Sequence, residues 1–322
     1  MSGTEHPAAD RATADTIDVP GRATADTDPA PGRATADAID IPGRSAADAI
    51  DVPDRSAAEA IDAPGTPEKT WASWRGLARL PVAEPPAGPV LVVAAHPDDE
   101  VLGFGGTMAA LAALGTDVHL VSVTDGEASH PHHTHVTPER LARMRVAELG
   151  EAMKELGLPG LRQRRLRVPD TQVHRHEERV RDTIAAVAAE VGAAVCVAPW
   201  AGDLHSDHEA VGRAAAAASR TTGTPLWEYP VWMWHWAVPD DWRVPWHTAH
   251  RLPLPARAQA AKDRAVRRFA TQTAPLVGNG EATGRTAASG ENAKNEAGAE
   301  PTVILPPEEL AHHTRNFEVV FR

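Results

Sequence analysis

The sequence predicts an α/β protein: a doubly wound, mostly parallel, Rossmann-like sheet with a disordered N-terminal repeat tail. Three observations predict it. From Pro89 onward, strand and helix patterns alternate, as crossover units around a parallel sheet require. Two clusters of His and Asp, at 96–100 and 205–208, each follow an apolar strand, and open α/β sheets place their crevices at such strand ends. Residues 11–65 are five tandem copies of an 11-residue unit, the first RATADTIDVPG, with too few apolar side chains to offset the entropy of ordering them. The chain therefore divides into a disordered tail at 1–66, a linker at 67–88 and a folded domain at 89–322 with a flexible loop at 277–300.

An 11-residue period suits a right-handed coiled coil, but the proline near the end of each copy would break a continuous helix. The tail reads as a tolerated duplication rather than a docking or spacing arm. Residues 89–95, PVLVVAA, are apolar throughout, which predicts a first strand buried on both faces, and 100–115 form the helix after it. A second strand covers 117–124. Over 138–157, Leu141, Met144, Leu149, Met153 and Leu156 recur near helical spacing and Gly157 supplies the stop. Further on come an edge strand at 161–168, a helix at 175–192 and another buried strand at 193–200. A later strand is expected at 225–234, where Pro230 places it at an edge or bends it. A basic-faced helix at 255–273, the loose loop at 277–300 and a last strand in the terminal FEVVFR complete the chain.

Of the formal charge of −12, most belongs to residues 1–65, which carry 13 acidic side chains and five arginines, so the folded part is near neutral. With no basic excess to neutralise phosphates and no apolar run long enough to span a bilayer, neither nucleic acid nor membrane is an expected partner. The single cysteine, Cys196, has no internal disulfide partner, and the acidic start lacks the pattern of a secretion signal. A reducing cytoplasm is the expected location.

The chemistry is carried by two clusters. In His96-Pro97-Asp98-Asp99-Glu100, His96 and Asp99 can reach one point across the turn while Asp98 stands beside them, although an Asp there could simply cap the next helix. In the run 200–208, WAGDLHSDH, one of His205 and His208 can bind an ion while the other faces a substrate, and Asp207 can hold an imidazole through its ring N–H. A solvated capping loop is the bland alternative. Two such clusters on the same rim of one sheet point to a shared metal site.

At these residues the chain resembles the PIG-L/LmbE-like zinc-dependent de-N-acetylases, whose HPDDE-type and HxDH motifs stand here as AHPDDE at 95–100 and HSDH at 205–208. The resemblance runs from about Pro89 to Gln272 and resumes at 302–322. It implies that His96, Asp99 and His208 ligate zinc, that Asp98 is the general base, and that His205 stabilises or protonates. It also sets TDGEAS at 124–129, Arg145, paired with Glu148, and Pro169-Asp170 near a substrate sugar. Two His and one carboxylate leave a coordination position open for water, as catalytic zinc sites require, and such ligands would also accept Fe2+ or Co2+. The expected activity is removal of an N-acetyl or similar N-acyl group from an N-acetylglucosamine-type glycoside or a related small metabolite. An amidase for a thiol conjugate or an acylated natural product is the nearest alternative. A non-catalytic glycan- or partner-binding module on the same fold is another, and Asp98 argues against it because a binder needs no base.

Six tryptophans, Trp227, Trp232, Trp234, Trp236, Trp242 and Trp246, fall close together. Alternation at 232, 234 and 236 places most of them along one face of an extended core segment, with one or two at the cleft. His130, His132, His133 and His135 read as a solvated loop rather than a second metal site, and His174, His176, His312 and His313 as surface residues. Gly103, Gly105 and Gly106 lack the Lys-Ser or Lys-Thr pair of a nucleotide loop.

Overall fold

A computed structural model describes residues 61, 63–131, 135–276 and 303–322, all within one compact unit, Val52–Arg322. Most of the expected disordered tail, the centre of the His-rich run and the expected loop at 277–300 lie outside the described residues.

Seven strands form one sheet, β1 (Val90–Ala94), β2 (Val118–Ser122), β3 (Arg162–Arg165), β4 (Val195–Pro199), β5 (Leu226–Tyr229), β6 (Ala249–Pro253) and β7 (Phe317–Phe321), in the order β3-β2-β1-β4-β5-β7-β6. β1 to β5 run parallel, and β7 pairs antiparallel with both β5 and β6. The sheet is thus mostly parallel and mixed. β1 is buried along its whole length because both of its faces are covered: Val90, Val92 and Ala94 enter one apolar core, Leu91 and Val93 the other. Helices α3 (Asp99–Ala113) and α4 (Pro138–Glu155) cover the first face, and α5 (Glu177–Val191) and α6 (Ser206–Thr222) the second. Strand order reverses between β1 and β4, so the segments after these two neighbours open a crevice between them.

Local chemistry sets the boundaries. Thr137 caps α4 by accepting from the Arg140 N–H, with Pro138 at the first helical position, and Gly157 takes a φ of 81° just beyond its end. Gly212 lets α6 lie against the segment after β4, since a Cβ there would stand 2.7 Å from the Ala201 nitrogen.

Several expectations are corrected. The linker at 67–88 holds two short helices, α1 (Glu68–Ser73) and α2 (Arg75–Arg79), that pack onto the domain: Trp71 is fully buried and donates its indole N–H to the Trp234 carbonyl at 2.8 Å. The strand expected at 225–234 ends at Tyr229, inside the sheet rather than at its edge. Pro230 stops it, and Met233–Trp236 turn into the short helix α7. Trp232, Trp234 and Trp236 therefore do not alternate along a strand. The helix expected at 255–273 is broken into α8 (Ala256–Val266) and α9 (Ala270–Thr273). His312 and His313 are buried, the first against Glu68 and the second on the Leu102 carbonyl, because α10 (Pro307–Ala311) and the residues after it pack between α1 and α3. Among the described residues no helix is long and apolar enough to cross a membrane.

Candidate metal centre

The turn after β1 presents His96, Asp98 and Asp99, all buried. Asp99 opens α3 and bends its carboxylate back onto the turn. Its Oδ2 accepts the His96 backbone N–H at 2.8 Å and lies 3.3 Å from the ring Nδ1 of the same residue. The second cluster delivers His208 from the first turn of α6, with Nε2 at 3.2 Å from Asp99 Oδ1. One carboxylate thus stands between the two imidazoles.

Each imidazole is held from its far side. His96 Nε2 lies 3.1 Å from Asp170 Oδ1 and 3.3 Å from Asp207 Oδ2, whereas His208 Nδ1 lies 2.8 Å from Asp203 Oδ2. Carboxylates accept, so these nitrogens carry protons, and a cation replacing the second proton of each ring would meet the lone pairs of His96 Nδ1 and His208 Nε2 beside Asp99. His208 Nε2 is buried without a hydrogen-bond partner, which is costly for a polar atom unless something binds it. A carboxylate behind each histidine and an orphaned nitrogen in front are what a divalent cation needs. Nitrogens of His96, His205 and His208 also lie within 4.8 Å of one another. A second such group, His96 with Asp170 and Asp207, has its acceptors engaged: Asp207 takes the Thr171 and Val173 N–H groups and Asp170 that of Ala128.

Asp98 lies beside this centre in a strained backbone, φ 143° and ψ −31°, and makes no side-chain cap to α3. Its Oδ2 accepts from Arg145 Nη2 at 3.1 Å. The same guanidinium donates to the Pro97 and Gly126 carbonyls at 3.0 Å, and Gly126 stands so close that a Cβ there would meet Nη1 at 2.1 Å. Burial raises the Asp98 pKa to about 7; Arg145 pulls it down without cancelling that effect.

His205 caps α6, accepting the Asp207 N–H at Nδ1 (3.3 Å), so its proton sits on Nε2. Burial first, then the neighbouring His208 and His96, hold its pKa well below the ordinary histidine value. It is a neutral donor. Its ring stacks on Trp232 with centroids 6.5 Å apart.

These groups line a cavity of about 230 Å³. Asp98, Arg145, Asp170 and His205 give it a polar flank, and Leu102, Val231, Trp232, Ile304 and Leu305 an apolar one. Arg145 and Asp170 border it with hydrogen bonds directed at Asp98 and His96. Glu148 binds the Thr271 N–H and hydroxyl; it makes no hydrogen bond to Arg145. Of the tryptophans only Trp232 reaches this cavity; Trp227, Trp234 and Trp236 are core residues and Trp242 is 83% exposed. His130 bonds the Ser129 hydroxyl at 3.0 Å and His135 is exposed, and neither belongs to a metal-capable group among the described residues. Sequence reasoning assigns no role to Asp203, within the 200–208 run, and places Glu127 only within the 124–129 segment set near a substrate sugar, whereas its carboxylate accepts the Asp170 backbone N–H at 2.9 Å. The one available signal was an extra acid in a motif already rich in them.

Known proteins match the stretch of chain that carries these residues. The family model described as PIG-L, GlcNAc-PI de-N-acetylase, matches residues 91–219. A 1D-myo-inositol 2-acetamido-2-deoxy-alpha-D-glucopyranoside deacetylase of Streptomyces avermitilis is 34% identical over 193 residues, covering 52% of this chain and 62% of that protein. The protein of the same name from Rhodococcus opacus is 30% identical over 200 residues, covering 48% of this chain and 68% of that protein. A third, from Catenulispora acidiphila, is 47% identical over 85 residues, covering 23% of this chain and 26% of that protein. The chain thus spans less than two thirds of the length of several curated relatives it matches. Among solved structures, N,N'-diacetylchitobiose deacetylase from Pyrococcus horikoshii aligns with a TM-score of 0.46 at 21% identity, covering 64% of this chain and 80% of that one.

Proposed function

The chain belongs to the PIG-L family of deacetylases, and from that premise we propose that it hydrolyses the amide of an N-acetylglucosamine-type glycoside or a related small metabolite, releasing an acetyl or similar acyl group. The observation that carries this reading is the convergence of two carboxylate-backed imidazoles on Asp99 with Asp98 beside them. His96, Asp99 and His208 would hold zinc, and such N and O donors also suit Fe2+ or Co2+. A cation held there supplies Lewis acidity, polarising the amide carbonyl and making an attacking water more acidic.

The chain's own groups do the rest. Asp98 takes a proton from the attacking water, and a base with a pKa of about 7 is matched to that task at neutral pH. The water oxygen adds to the acyl carbon. As the C–N bond breaks, Asp98 returns the proton to the departing nitrogen, so that a free amine and a carboxylic acid, which ionises on release, are the products. His205, neutral with its proton on Nε2, donates to the acyl oxygen as negative charge develops there. Arg145 keeps Asp98 aimed, while Asp170 and Asp207 fix the His96 ring. The cavity's volume of about 230 Å³ accommodates a sugar-sized group, and its apolar flank gives an acyl methyl or a sugar face a place to rest.

Amine release from a panel of N-acetylglucosaminides and acylated thiol conjugates, with zinc-loaded wild type and Asp98→Ala, tests this. Release by wild type that Asp98→Ala loses is the expected result. Equal release by both would overturn the assignment of the base, and zinc binding without release from any panel member would favour the binding-module alternative.

A further inference from the structure

We infer that Asp203 is a positioning residue that uses one carboxylate for two purposes: it fixes the His208 ring with its proton on Nδ1, and it sets the backbone that presents Trp232 to the cavity. The inference rests on the metal reading above.

Asp203 has no exposed surface. Its Oδ2 accepts from His208 Nδ1 at 2.8 Å and from the Trp232 N–H at 2.9 Å, its Oδ1 accepts from the Met233 N–H at 2.8 Å, and the Val231 N–H is shared between Oδ1 at 3.2 Å and Oδ2 at 3.3 Å. Its main chain is tied to the same segment, since its carbonyl accepts the Trp236 indole N–H at 3.1 Å. Leu204, next in the chain, sits at φ 60°, a conformation costly for a residue with a Cβ unless its surroundings impose it. Val231 and Trp232 line the apolar flank of the cavity, and Trp232 stacks on His205. A metal ligand, the oxyanion donor and the substrate wall are therefore registered against one another through Asp203.

Hydrogen-bond bookkeeping gives the consequence of Asp203→Asn, which keeps the shape and exchanges one acceptor oxygen for an NH2 donor. With the NH2 on the Oδ2 side, it meets two donors, His208 Nδ1–H and the Trp232 N–H. The ring can escape by moving its proton to Nε2, which removes the lone pair facing Asp99, while the Trp232 N–H is left without its acceptor. With the NH2 on the Oδ1 side, it confronts the Met233 and Val231 N–H groups and pushes the wall away. Either arrangement puts a neutral amide where a carboxylate stood behind His208 and leaves one backbone N–H of the wall facing a donor, and the first also moves the ring proton to Nε2, so zinc affinity falls in both.

The test is zinc affinity by chelator competition for wild type, Asp203→Asn and Trp232→Phe. Asp203→Asn is expected to bind zinc 10- to 100-fold more weakly. At saturating zinc it should retain a raised KM, whereas Trp232→Phe should raise KM with zinc affinity unchanged. Zinc affinity of Asp203→Asn within threefold of wild type would overturn the inference. Should Asp203→Asn fail to fold, judged by circular dichroism of the chelated protein, 15N-histidine NMR of the zinc-loaded wild type decides. A His208 ring protonated on Nδ1 and ligated through Nε2 is expected, and ligation through Nδ1 overturns the inference. A wild type that binds no zinc overturns the metal reading itself, and the Asp203 assignment with it.

Discussion

The half of the sheet that carries His96 and His208 and the half that carries the tryptophans are built by different rules. In the first, β1 to β4 run parallel, and the apolar strands β1, β2 and β4 are each followed by a helix that covers the sheet. Each element thus carries its own local signal, even though β1 finds its partner β4 about a hundred positions on. In the second, β7 inserts antiparallel between β5 and β6, and the packing depends on partners far apart in sequence: Trp71 bonds Trp234 across 163 positions and Arg315 reaches Glu68 across 247. A third apolar cluster, built on Trp71, Trp200, Trp234 and Trp236, holds these distant pieces together. The groups proposed to carry the chemistry sit on the locally specified half, and Val231 and Trp232 of the cavity's apolar flank come from the half assembled at long range. Chemistry and enclosure are separable in the chain and joined at Asp203.

The sharpest way to break that comparison is to remove one function from the first half without touching the second. Asp98→Asn should lower kcat by about 10²- to 10⁴-fold, the ordinary weight of a general base, with zinc affinity and melting temperature close to wild type. His208→Ala should lose zinc and turnover together. Activity retained by zinc-free His208→Ala would sink the ligand assignment.

Trp71→Ala makes the converse cut. Trp71 is fully buried, edge-on to Trp234 at 5.2 Å between ring centroids, so its loss leaves a cavity and an unpaired carbonyl. A destabilisation of about 3–5 kcal/mol is expected, a fall in melting temperature of about 10 °C or somewhat more. Zinc affinity at a temperature where the protein stays folded should not change. A tenfold loss of zinc affinity there would mean that the two halves are not separable.

The same contrast explains what the sequence disclosed. The first half was legible because periodicity and strand-end motifs are local: β1, α3, β2, α4 and β4 lie close to where their patterns place them. Arg145 carries a readable signal of its own, since it takes the buried position between Leu141 and Leu149 on α4, where an apolar residue would be routine. The second half was not legible. The sequence of β6, AHRLP, has no alternation and becomes a strand only because β7 lies beside it. The tryptophans read as an extended segment, but Pro230 ends the strand and Trp232 becomes the one ring at the cavity, a choice made by the Asp203 carboxylate and visible in no window of sequence. The buried ion pair of Lys262 with Glu318, which also takes the Gly106 and Thr107 N–H groups, fastens α8 and β7 to α3 by the same long-range logic.

A smaller effect sharpens the electrostatics of the first half. Asp98 must be deprotonated to act, and burial places its pKa at about 7, so kcat/KM should fall tenfold per pH unit on the acid side once Asp98 protonates. A bound cation adds positive charge nearby and moves this limb below pH 7. Arg145 acts in the same direction as the cation. Arg145→Met should therefore shift the limb to higher pH, measured as log kcat/KM against pH, and a limb that stays put or moves down would show that Arg145 does not tune the base.

The smallest effect is expected from removing residues 1–60. The repeats offer one or two sizeable apolar side chains per copy, too few to add to a core. Among the described residues, contacts that fasten the start of the domain begin at the end of the fifth copy: Ala63 accepts from His235 Nε2, the Thr66 hydroxyl donates to the Ala237 carbonyl, and Glu68 pairs with His312 and Arg315. Cutting before residue 61 leaves all of these, so melting temperature should move by no more than about 2 °C, equivalent to under about 1 kcal/mol at this size. Extending the cut through residue 74 removes Glu68 and Trp71 as well. It should reproduce or exceed the Trp71→Ala loss, since Trp234 and Arg315 then lose their partners together. Equal melting temperatures for the two truncations would erase the distinction between a repeat tail and a strap that belongs to the fold.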